Sequence, residues 1–242
     1  MRVAVVSDIH GNLHALEAVL ADIVREEADE VWCLGDVVGY GPHPNECCAL
    51  AREHAVFSLC GNHDLAVVGG LDLTDFSGDA AVAARWTRDV LAPEHADWLR
   101  SLAASGTRSG IEAYHGSPRD PVWDYVLSDA IALESLALTT APLVLVGHSH
   151  VALGVWLDGD HLDGGQADAS TEIEWSVRRS LLNPGSVGQP RDADPRAAWL
   201  ALDLEAEAAT FRRTEYDVAA AQRDSRAAGL PEILAARLAH GM

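Results

Sequence analysis

Short apolar runs and polar breaks alternate through the first part of the chain. Residues 3–6 are apolar and mostly β-branched, and predict a buried strand. Leu13, Leu16, Leu20, Ile23 and Val24 then recur on one helical face, with Asn12 placed to cap the first turn. Strands are predicted at 31–34, 56–59, 111–114 and 143–146. Helices are predicted at 45–54 (entered at Pro44), 79–91, 94–104 (opened by Pro93) and 128–138. A β-α-β-α order implies a largely parallel sheet covered on both faces, because parallel strands need crossover connections.

Beyond residue 150 the pattern changes. Residues 151–157, 172–177, 199–203 and 210–213 read as strands joined by turns, which predicts a second, more antiparallel sheet packed on the first. Residues 158–170 are rich in Asp and Gly and predict a mobile loop. Helices at 218–228 and 232–240 close the chain. No Pro/Ser-rich linker interrupts the 242 residues, so a single domain over 1–242 is expected.

Composition narrows the chemistry. There are 37 acidic and 17 basic residues, a net charge of −20, and every basic residue is Arg. Without lysine, Schiff-base chemistry and the P-loop lysine are excluded. The acidity argues against nucleic-acid binding and against anionic lipid, since both require basic surface. Cys33, Cys47, Cys48 and Cys60 lack CxxC zinc spacing and read as reduced structural thiols. The apolar run at 3–6 is too short for a signal-peptide core and no stretch is long enough to span a bilayer, so a soluble, cytoplasmic protein is expected.

The polar residues fall in a pattern on this map. Asp8 and His10 follow the first strand; Gly35 and Asp36 follow the second. Gly61, Asn62, His63 and Asp64 follow the third, His115 the fourth, and Gly147, His148, Ser149 and His150 the fifth. In an open α/β sheet, ligands bind at the carboxyl ends of the strands, so these donors should share one patch. A lone His or Asp at a strand end is usually a cap or a turn residue. Five coincident placements, using five of eleven histidines, point instead to a divalent cation of hard-to-borderline character. The remaining histidines read as surface or helix residues, with His43 singled out because it lies in the loop after Asp36.

These blocks, in this order, resemble the calcineurin-like metallophosphoesterase superfamily. Gly39-Tyr40-Gly41-Pro42, Pro44-Asn45-Glu46-Cys47 and Asn183-Pro184-Gly185-Ser186 resemble its bacterial diadenosine tetraphosphatase-like and small phosphodiesterase branch. The resemblance implies an α/β fold of two packed mixed sheets, a β-sandwich flanked by helices in four layers. It implies two divalent metal ions (Mn, Fe, Zn or Ni), one held by Asp8, His10 and His150 and the other by Asn62, His115 and His148, with Asp36 bridging. Two dications against two carboxylates leave the site positive inside an acidic protein, which suits a small phosphorylated substrate such as a nucleotide. The implied activity is hydrolysis of a phosphodiester or phosphoanhydride, preferably in a dinucleoside polyphosphate, by a metal-bridging hydroxide. His63 would face the leaving group, and Asp64 would hold the His63 ring. Tyr40, His43 and Arg191 are candidate substrate contacts, Arg191 being equally suited to pair with Asp192 or Asp194. The Trp residues read as core and rim, with no spacing that builds a base-stacking platform. The Ser/Thr protein phosphatases of the superfamily carry an Arg soon after the second motif's Asp, where this chain reads Val37-Val38-Gly39-Tyr40. A phosphomonoesterase, a protein phosphatase-like enzyme and a non-catalytic protein-binding module, like the superfamily's retromer subunit, are the alternatives. The complete ligand set and His63 favour an enzyme.

Overall fold

The computed structural model describes residues 1–159 and 161–242. Its elements run β1 Arg2–Val6, α1 Leu13–Arg25, β2 Glu30–Cys33, α2 Pro44–His54, β3 Ala55–Ser58, α3 Asn62–Val67, α4 Gly78–Val90, α5 Pro93–Ser101, β4 Ser105–Arg108, β5 Ile111–Tyr114, α6 Asp129–Ala137 and β6 Leu143–Leu145. There follow β7 Ala152–Asp158, β8 His161–Gln166, β9 Glu172–Glu174, β10 Ser180–Pro184, β11 Ala197–Asp203, β12 Ala208–Thr214, α7 Val218–Ala227 and α8 Glu232–Ala236. None of the described helices is long and apolar enough to cross a membrane.

The strands form two six-stranded mixed sheets, ordered β3-β2-β1-β11-β12-β9 and β4-β5-β6-β10-β7-β8. β1, β2 and β3 run parallel in the first, and β5, β6 and β10 run parallel in the second. Side-chain alternation stacks the layers. Val3 and Val5 point between the sheets, where they meet Leu143, Leu145, Leu182 and Phe211. Ala4 and Val6 point the other way, onto Leu16, Val19 and Ile23 of α1 and Cys47 and Cys48 of α2. Both faces of β1 are therefore buried, which is why its sequence is a continuous apolar run. On the far side, Val144, Val146 and Leu181 pack against Ala132 and Leu136 of α6. The order is helix, sheet, sheet, helix. All four cysteines are buried and free, and burial pushes the Cys33 and Cys60 thiols up to about 12, so they are inert packing groups.

Several expectations change. The two sheets do not divide the chain into halves: β11 and β12 extend the first sheet, while β5 and β6 belong to the second. The loop expected at 158–170 contains β8, which pairs antiparallel with β7; Asp160 lies outside the described residues. Gly164 and Gly165 obscured this exposed edge strand. Residues 180–184, to which the pattern assigned no element, form the buried β10 between β6 and β7. Only two of its residues are Leu, too few to show a period. α3 and β4 were missed for the same reason of length and polarity.

Candidate metal centre

Five of the parallel strands, β1, β2, β3, β5 and β6, deliver polar residues from their carboxyl ends to one edge of the sandwich. The turns that follow are strained in a consistent way. Asp8, His10, Asp36, His148 and His150 all have left-handed backbone conformations, with φ between 50° and 64°. Asp and His tolerate this region better than most residues, yet each such placement costs on the order of 1 kcal/mol or more. The strain turns each side chain back over the strand end. Gly61 is required for a different reason: a Cβ there would collide with the Asp36 carboxylate. The Asn183 segment locks the turns. Its amide donates to Gly147 O (2.7 Å) and to Ser149 Oγ (3.0 Å), while Ser186 Oγ donates to Asp8 O (2.7 Å).

The donors fall into two groups that share no residue, overlapped by a third, His10, Asp36 and His63. Asp8, His10 and His150 form one and Asp36, His115 and His148 the other, each with ligand atoms within 4.8 Å of one another. Asp36 Oδ2 lies between them, 3.6 Å from His10 Nε2 and 3.4 Å from His115 Nε2. Asn62 Oδ1 is 3.2 Å from His115 Nε2. All seven side chains are buried.

Their hydrogen bonds show which atoms each ring turns inward. His10 Nδ1 faces Val38 O, His115 Nδ1 faces Leu34 O and His150 Nδ1 faces Gln189 O, at 3.1, 2.9 and 2.6 Å. A carbonyl only accepts, so each Nδ1 must carry the proton, and Nε2 is the ring nitrogen that each turns inward. His10 Nε2 and His150 Nε2 then confront each other at 3.0 Å. Burial holds both rings below the ordinary imidazole range, so neither is protonated at neutral pH. Asp8 Oδ1, Asp36 Oδ2 and His148 Nε2 are buried without a hydrogen-bond partner among the described residues. Unpaired acceptors of this kind are costly unless a cation sits among them. The Asp/Asn/His donor set fits divalent ions of the Mn, Fe, Zn and Ni type.

The carboxylates are ionised. Burial raises both, but His150 pulls Asp8, and His115 with His63 pulls Asp36, well below the usual range. His115 is opposed to its neighbours: burial lowers it, yet Asp36, Asp8 and the Leu34 carbonyl together outweigh burial and raise it to about 9. Burial takes His63 down to about 4 and His148 to about 3.

His63 is buried beside these donors, with its backbone N–H on Asp36 Oδ1 (2.9 Å) and its ring 4.9 Å from that of His10. Asp64 does not hold the His63 ring. Its two oxygens accept from the N–H groups of Val38 and Gly61, both at 3.0 Å, and so tie the Asp36 turn to the Asn62 turn. Its position at the third residue of α3 faces it back toward the helix start, away from its neighbour His63. Burial raises Asp64 to about 7. Tyr40 packs on His63 and His10 at 4.3 and 4.6 Å. Arg191 lies over the Tyr40 ring and donates to Gln189 Oε1, while its own N–H donates to His150 O. Asp192 pairs with Arg213 and Asp194 with Arg196, which leaves Arg191 turned toward the site. His43 points Nε2 at Asp224 instead.

Three residues at the site escaped sequence reasoning. Tyr125 stacks on the His148 ring at 3.9 Å and 24°. Phe76 meets His63 edge-on at 5.0 Å, and Trp123 contacts Phe76 at 5.2 Å. They come from the loops before α4 and after β5, half-buried or exposed, and form an aromatic roof. Trp123 is half-buried at the rim, in keeping with the reading of the Trp residues as core and rim. Its partner Phe76 is distant in sequence, so no spacing links them.

Comparison with known proteins agrees with this architecture. The calcineurin-like phosphoesterase superfamily domain matches residues 1–207. An uncharacterised protein of Methanocaldococcus jannaschii is 36% identical over 98% of this chain and 96% of its own. The crystal structure of a metallophosphoesterase from Sphaerobacter thermophilus superposes with a TM-score of 0.91 at 42% identity, covering 100% of this chain and 99% of that one. A symmetrical bis(5'-nucleosyl)-tetraphosphatase of Nitrosococcus oceani is 30% identical over 59% of this chain, and the match spans only 52% of that enzyme. From the match over residues 1–207, and from near full-length likeness to a metallophosphoesterase of known structure, the chain belongs to the calcineurin-like phosphoesterase superfamily and is a phosphoester hydrolase.

Proposed function

We propose that this hydrolase cleaves a phosphodiester or phosphoanhydride bond at a two-metal centre held by Asp8, His10, Asp36, Asn62, His115, His148 and His150, with a dinucleoside polyphosphate as its preferred substrate. The observation that carries the reading is the set of inward ring nitrogens and unpartnered oxygens divided by Asp36 Oδ2. When bound, two divalent ions supply Lewis-acid neutralisation of phosphoryl oxygens and an activated water near neutral pH.

The chain's own groups do the rest. His63, neutral at pH 7, donates a hydrogen bond to the leaving oxygen as charge develops there. Asp64 fixes two ligand turns and is a positioning residue. Arg191 offers a guanidinium to a non-bridging or distal phosphate oxygen. Phe76, Trp123 and Tyr125 present ring faces and edges suited to an aromatic group such as a nucleobase. This roof, together with the distant likeness to tetraphosphatases, supports a nucleotide over a simple alkyl ester.

The test is a product assay on manganese-reconstituted protein. Diadenosine tetraphosphate should be cleaved with a higher kcat/KM than an aryl diester or an aryl monoester. Faster turnover of the monoester would overturn the bond assignment, and no turnover of any of the three would overturn the proposal.

A further inference from the structure

A further group of donors lies outside this centre. His14 at the start of α1, His43 just before α2 and Asp224 on α7 meet at one point. His14 Nε2 is 2.8 Å and His43 Nε2 is 3.0 Å from Asp224 Oδ2, and the three ligand atoms lie within 4.8 Å of one another. We propose that His14, His43 and Asp224 form a separate site for a divalent transition-metal ion of the zinc type, clamping α7 onto α1 and the entry to α2.

Two imidazoles and one carboxylate make a three-ligand set of the kind zinc uses when its fourth position is left to water. The three side chains are 28%, 25% and 39% exposed, so an ion can enter and keep a water ligand. The residues come from distant parts of the sequence, so no local turn explains their meeting. Neither Nδ1 has a protein hydrogen-bond partner among the described residues. Each ring proton is therefore free to move to Nδ1, exposing Nε2 as a ligand. In the central site, by contrast, three of the rings are locked by backbone carbonyls. The peripheral site is thus less preorganised and should bind more weakly. It has a consequence for the centre. Ala221 and Ser225 of α7 line a small cavity with His10, Tyr40 and Gln189, so an ion at the clamp would hold the wall behind Tyr40.

The test compares wild type, His14→Ala and Asp224→Asn, each also in an Asp36→Asn background that weakens the central site. Chelator-stripped protein is loaded with zinc, desalted and assayed for metal per chain; cobalt loading adds the visible band of a tetrahedral site. Both variants should lose one equivalent relative to their parent in both backgrounds. Both should also lose the part of the zinc-dependent rise in Tm that persists in the Asp36→Asn parent. Equal metal content, or an unchanged zinc-dependent rise, would reduce the cluster to a hydrogen-bonded pin and overturn the site. Because the readout is metal and not turnover, a failure of the proposed hydrolysis leaves this result independent.

Discussion

The floor of the centre is rooted in strand ends, whereas its roof hangs from two loops. On the floor, each donor follows a parallel strand, and His10, His115 and His150 are oriented by backbone carbonyls. In the roof, Phe76, Trp123 and Tyr125 are held by ring contacts among themselves and with the histidines below. The floor is buried, strained and fixed by topology; the roof is partly exposed and free to vary. Ligand geometry must be held within tenths of an ångström, which only a rigid scaffold does, while substrate choice is adjusted in loops.

The contrast breaks most sharply at Asp36. Asp36→Asn removes the one carboxylate oxygen shared by both groups, and kcat/KM should fall about 10³-fold or more if several kcal/mol of transition-state stabilisation depend on it. Activity within tenfold of wild type would mean the floor does not work as a shared centre. His63→Ala should keep the metal content and lower kcat by about 10²–10⁴-fold for a poor leaving group, with a much smaller loss for nitrophenolate. Equal losses for both would remove His63 from the leaving-group side. Trp123→Ala should touch only the roof, raising KM for a nucleotide substrate about 5- to 100-fold while kcat changes little, as loss of one stacking partner implies. A fall in kcat with KM unchanged would move Trp123 from roof to floor.

A finer probe is pH. In chelator-stripped protein, His115 titrates near 9 when folded against 6.5 unfolded, so its contribution to stability is complete below pH 6.5 and lost as pH rises through 9. His63 and His148 are depressed, so their contribution is present above 6.5 and lost as pH falls toward 4 and 3. Stripped protein should therefore lose stability on the alkaline side between pH 6.5 and 9. Manganese binding at pH 7 should release about one proton from His115, measurable as a buffer-dependent heat. No release would mean that His115 is not displaced from its proton by an ion.

The same contrast explains what the sequence could and could not say. The floor was legible because its residues follow short apolar runs that are strands on any reading, and because Asp and His have few other reasons to follow every one of them. β10 was not legible, since it has just two Leu to announce it. The Asp64 assignment failed because adjacency in sequence places side chains on different sides of a helix start. The roof was invisible: Phe76 and Trp123 meet only after two loops fold over a finished centre. Which sheet each late strand joined was equally hidden, because β11 pairs with β1 by long-range register with no local signal and carries β12 with it as a hairpin.

The most direct test is anomalous diffraction from crystals of manganese-reconstituted protein. Two peaks should stand about 3.5–4 Å apart, both within coordination distance of Asp36, one beside Asp8 and His150 and the other beside Asn62 and His148. A centre with no anomalous peak, or with one ion that Asp36 does not touch, would contradict the account.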